Sequence, residues 1–114
     1  SRAAKEILIR LMVAPEWEVR AQAARALGYL SSPDTAGILV QGLRDRSFWV
    51  RRNSSLSLAT MGDLGRASLQ DAALTDSDRF ARDAARDALG RLSVNGGALT
   101  GGKLTGGKLT GGKL

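Results

Sequence analysis

The chain has 114 residues, with 17 Lys and Arg against 11 Asp and Glu, and it contains neither Cys nor His. Its length suits one domain. Without Cys and His it lacks disulfides, thiolate metal sites and the usual nucleophile–base pairs, and no run of about 18 apolar residues offers a membrane span.

Ile7, Leu8, Leu11 and Met12 recur at helical spacing and predict a first helix. Pro15 suits the first position of a second helix, whose apolar stripe is Val19, Ala23, Ala26, Leu27 and Leu30. Ser32-Pro33 reads as a cap followed by a first-turn Pro, opening a third helix with Ile38, Leu39 and Leu43. Ser47 is a cap candidate for a fourth helix carrying Val50, Ser54, Leu58 and Met61. Asp63 is a cap candidate for a fifth, from about Gly65 to Leu74, and a sixth runs from Asp78 to Leu92. No segment alternates with period two long enough for a strand. The fold class is all-α.

These helices repeat. Val19-Arg20 returns as Val50-Arg51 and then as Ala81-Arg82, each 31 residues on. In the same register Leu27 aligns with Leu58 and Leu89, Ala23 with Ser54 and Ala85, and Met12 with Leu43 and Leu74. The units span about 5–32, 33–63 and 64–92. One helix pair cannot bury its own apolar stripe, but stacked pairs bury each other's. The expectation is a short right-handed α-solenoid of three antiparallel helix pairs over residues 1–94.

The pattern Asp45-x-x-x-x-Val50-Arg51, followed by Ser54, Leu58 and Ala59, resembles the HEAT repeat, in its short bacterial PBS-lyase HEAT-like form. Unit one supplies Val19-Arg20, Ala23-Ala24 and Leu27-Gly28; unit three supplies Asp76, Ala81-Arg82, Ala84-Ala85 and Leu89-Gly90. Two positions depart from the pattern. Ala14 stands where the turn Asp is expected, and Ser54, Ser55 and Ser57 replace small apolar residues. The resemblance implies structural roles for Arg20, Arg51 and Arg82, each bonding the turn Asp of its own or an adjacent unit. Asp45 and Asp76 are the acceptors. It also implies that the second helices line the concave side.

That side is then one strip. It holds Trp17, Glu18, Ala21, Gln22 and Arg25, then Phe48, Trp49, Arg52, Asn53 and Leu56, then Arg79, Phe80, Asp83, Ala84 and Asp87. Four of the five aromatics fall at its start, and Trp and Arg are common interface anchors. The other reading is that these rings pack under the turns as core. The strip carries Arg25, Arg52 and Arg79 against Glu18, Asp83 and Asp87, a balance that argues against phosphate contact. Gly101-Gly102-Lys103 lacks phosphate-loop spacing, and Asp76-Ser77-Asp78 reads as a helix cap rather than a calcium loop.

Eight of the 14 glycines lie from Asn95 onward, in a segment of Gly-Gly-Lys-Leu-Thr repeats without acids. Half of the net charge of +6 resides there, on Lys103, Lys108 and Lys113. An irregular tail is expected over 95–114: a flexible linker, a β-solenoid coil, or a segment ordered by a partner. The outer stripes of the first and last helices offer no clear polar cap. This predicts a longer solenoid, cover by another chain, or self-association through the ends. The expected function is a non-catalytic protein-binding or assembly scaffold that uses the concave strip, with no cofactor, no metal, no membrane and a cytoplasmic location. The alternatives are a nucleic-acid-binding module or an accessory subunit of a chromophore-attachment or other modifying enzyme.

Overall fold

Ser1 and Ser32 show how the local sequence starts helices here. The Ser1 Oγ accepts from the Ala4 N–H at 3.1 Å, opening α1 (Arg2–Leu11). Ser32 and Thr35 form a reciprocal capping box ahead of α3 (Pro33–Gly42), with Pro33 in its first turn. The remaining helices are α2 (Trp17–Leu27), α4 (Phe48–Ala59), α5 (Gly62–Thr75) and α6 (Arg79–Thr100). The computed structural model describes the backbone of residues 1–100 and the side chains through Val94. Among these residues there are six helices and no strand.

Two expected helix starts are corrected. Pro15 lies in the turn before α2, whose cap position is Glu16. Asp63 lies inside the first turn of α5, where a carboxylate still suits the helix dipole. Ser47 holds the cap position of α4, yet its side chain makes no cap bond. Its N–H instead donates to Asp45 Oδ1 at 2.8 Å, and the Asp78 N–H does the same to Asp76 at 2.9 Å. Each turn Asp thus closes a short loop on itself. Asp78 caps α6 by accepting from the Ala81 N–H. Between α4 and α5 the chain turns on Gly62 at φ +62°, a conformation that a Cβ would penalise.

The pairs α1–α2, α3–α4 and α5–α6 stack so that α1, α3 and α5 form one layer and α2, α4 and α6 the other. Leu27, Leu39, Leu43, Leu58 and Leu69 are fully buried between the layers. The fold is therefore an all-α solenoid. Helix α6 runs past the compositional boundary at Asn95 to Thr100. The expected tail conformation beyond Thr100 lies outside the described residues.

The serines of unit two have separate uses. Ser57 Oγ donates to the Ala24 carbonyl at 2.6 Å, crossing from α4 to α2 in the space above Gly28. Ser55 bonds back to the Arg52 carbonyl of its own helix. Ser54 Oγ is buried with no partner among the described residues. A buried unpaired hydroxyl costs about 1–3 kcal/mol. Ser54→Ala should therefore raise the unfolding free energy by about 1 kcal/mol in urea titration. A variant less stable than wild type would show that the hydroxyl finds a partner in solution.

Candidate functional site

The turns set the spacing between units, so they come first. Arg20 Nη1 donates to the carbonyls of Ala14 and Pro15 at 2.8 and 2.9 Å, which anchors the guanidinium on its own turn. Its Nε and Nη2 then grip both oxygens of Asp45 in the next unit, at 2.9 and 3.1 Å. Both side chains are largely buried. Burial opposes the charged Asp45, but the Arg20 bonds and the Ser47 N–H outweigh it and hold this carboxyl below its usual range. The Asp45 hydrogen bond in turn raises Arg20.

The other two turn arginines bond the turn Asp of their own unit through its carbonyl rather than its carboxylate. Arg51 reaches only the carbonyl of Asp45, at 2.8 Å, and its guanidinium lies 4.5 Å from the centre of the Phe80 ring. Arg82 donates to the carbonyls of Asp76 and Ser77. The Asp76 carboxylate is taken by Arg44, whose Nε lies 3.1 Å from each oxygen. Register comparison missed Arg44 because its column mates are Val13 and Thr75. The physical reason is cover: Phe80 occupies the face of Arg51, and Arg44 reaches the carboxylate from the end of α3.

On α2, α4 and α6, Trp17, Phe48, Trp49 and Phe80 are all exposed, so none is core. Phe48 and Trp49 meet edge to face, with centroids 5.1 Å apart. Glu18, Gln22, Arg25, Arg52, Arg79, Asp83 and Asp87 are exposed too, while Leu56 and Ala84 are half-buried. Ala21 is buried and leaves the strip. Asn53 is committed to the fold: its amide donates to the Ala21 carbonyl at 2.8 Å, joining α4 to α2. Arg79 pairs with Asp83 at 3.7 Å, and Arg91 with Asp87 at 2.6 Å.

Several hollows interrupt this face, two of them beside aromatic rings. Between α4 and α6 lies a cavity of about 220 Å³, walled by Phe48 and Phe80 and including Arg51, Arg52, Ser55, Asp83 and Asp87. It stays open because Ala84 stands in the register of Asn53, so no side chain bridges α6 to α4 there. A second hollow, about 500 Å³, lies between the ends of α2 and α4, beside Arg25, Tyr29, Leu56 and Thr60. Tyr29 is well exposed. Tyr29 lies beyond Arg25, the last strip position of unit one, and beyond the end of α2. Trp17 lines neither hollow.

No described helix is long and apolar enough to cross a membrane. No curated protein matches the sequence. The family profile described as HEAT repeats matches residues 4–90, which takes in all three helix pairs up to the middle of α6. The chain belongs to the HEAT repeat family.

Proposed function

We propose that this protein is a non-catalytic scaffold that holds a protein partner on its inner-helix face, with the α4–α6 cavity as the anchor site. HEAT repeats are commonly protein-interaction scaffolds. The observation that carries the finer reading is the pair Phe48 and Phe80. Both rings are more than half exposed, both wall one cavity, and Arg51, bonded to the Asp45 carbonyl, lies against the Phe80 ring. Exposed aromatics around a preformed pocket have already met the ordering cost that binding imposes. The rim is mixed in charge, with Arg52 beside Asp83 and Asp87. That suits a peptide segment with both polar and apolar residues better than a phosphate backbone.

The test compares proteins captured from lysate by wild type and by a Phe48→Ser/Phe80→Ser double variant. The exposed positions make the substitution mild for the fold, and matched melting curves check this. Wild type should retain proteins that the variant loses. An unchanged captured set would falsify the assignment of the anchor.

A further inference from the structure

The outer face of the last unit has a different chemistry from the units behind it. The column Met12, Leu43, Leu74 is buried at its first two members, at 9% and 0% exposure, while Leu74 is 80% exposed. The column Ala24, Ser55, Arg86 is likewise buried twice and then exposed. These positions face the following unit wherever one follows. Gly28 lies beneath Ser57 of α4, whereas its register mate Gly90 meets nothing within 4 Å among the described residues. A shallow hollow of about 540 Å³ lies over Gly90, bordered by Arg86 and Val94.

Arg82 completes this face. Its Nη1 rests on the carbonyls of its own turn, as Arg20 Nη1 does. In Arg20 the remaining edge grips the Asp45 carboxylate. In Arg82 the Nε and Nη2 meet no acceptor among the described residues. No acidic side chain follows Asp87 in the sequence, and Asp87 is paired with Arg91. Arg66 and Gln70 precede Leu74 at spacings of four on α5, so they share its side of the helix. Gln70 stands in the register of buried Leu39.

We propose that this outer face of α5 and α6 docks an acidic helix of a partner protein. The partner's leading Asp sits in the open edge of Arg82 as Asp45 sits in Arg20. A small residue further along crosses Gly90 as Ser57 crosses Gly28, and its carboxylates meet Arg66 and Arg86. The charge of the face selects this occupant over another copy of the chain. The first unit offers Ala14 in place of the turn carboxylate, and its groove from Leu8 to Ala26 carries the single carboxylate Glu18, so another copy leaves Arg82 without a turn carboxylate and brings one acid to both Arg66 and Arg86. The Arg82 geometry copies a carboxylate grip rather than a phosphate contact, and Leu74 adds an apolar contact beside it. The hollow over Gly90 shares Asp87 and Arg91 with the α4–α6 cavity, but Arg66, Leu74, Arg82 and Arg86 line no part of that cavity.

Fluorescence anisotropy tests this with a labelled helical peptide that has an N-terminal Asp, an Ala in the place of Ser57 and Glu along one face. The peptide should bind wild type and lose about tenfold in affinity to Arg66→Glu/Arg86→Glu. Arg46→Glu, an exposed change on the turn before α4, should leave its affinity unchanged. Arg86→Ala alone should weaken binding in the same direction by less. Equal affinity for all the variants overturns the proposal. So does tighter binding of a single-stranded oligonucleotide than of the peptide, which assigns the arginines to phosphates.

Discussion

Asp45→Ala should lower the unfolding free energy by about 3 kcal/mol, a large share of what a domain of this size possesses. The Arg20 side chain is 5% exposed and that of Asp45 13%. Removing the carboxylate leaves a buried cation with only the Ala14 and Pro15 carbonyls. The cost is that of an uncompensated charge, not of one contact. Asp34→Ala is the control. Its pair with Lys5 spans 3.4 Å, with the Asp34 side chain 75% exposed, so its loss should change stability by less than about 0.5 kcal/mol. Urea midpoints in the reverse order would remove the turn clamp from the account.

The same pair sets a pH dependence. Asp45 in the folded protein holds its proton less tightly than in the unfolded chain. Its contribution is therefore full above the unfolded carboxylate value, about pH 4, and is lost as pH falls through the lower folded value. Wild type should lose more stability on acidification through this window than Asp45→Asn does. Parallel acid titrations of the two proteins would contradict this.

Gly65→Ala should be the other severe change. A Cβ at Gly65 would lie 1.7 Å from the Leu58 carbonyl oxygen and 2.7 Å from its carbon. Both are backbone atoms and cannot rotate aside. Helices α4 and α5 must move apart, which loosens Leu58 and Leu69, both fully buried. The expected cost is about 3 kcal/mol, at the upper end of overpacking effects. Gly37→Ala makes the contrast. Gly37 lies within α3, with nothing within 4 Å of an added Cβ, so the helix preference of Ala should stabilise the protein by about 0.5–1 kcal/mol. Melting temperatures should shift in opposite directions. A shift in the same direction for both would refute the close approach at Gly65.

Helix pairs and their order are legible in the sequence because burial repeats with the chain. Leu27 and Leu58 fill equivalent places, and so do Ala23, Ser54 and Ala85. What the register hides is whatever occurs once. Arg44 holds Asp76 although neither of its column mates is an arginine. Asn53 is spent on the Ala21 carbonyl, where an inner-face position alone reads as free. The starts of α2 and α5 moved because the turn carbonyls answer to Arg20 and the α4–α5 turn answers to Gly62. The end of the stack holds a further lesson. Arg86 and Gln70 stand in columns whose earlier members, Ser55 and Leu39, are buried, and only the packing shows which way those columns face. The aromatics of the strip resolve the other way. Phe48 and Trp17 had an equal claim to be core, and both are exposed.

Under the proposed function the face of α2, α4 and α6, and not the opposite layer, meets the partner. Site-specific photo-crosslinking tests it most directly. A photoreactive phenylalanine analogue is placed at Phe80 in one protein and at Gln41, exposed on α3 in the other layer, in a second. Both are irradiated in lysate at matched concentration. The account predicts discrete protein adducts from position 80 that vanish when Phe48→Ser is added, and none from position 41. Adducts from position 41 with none from position 80 would contradict it.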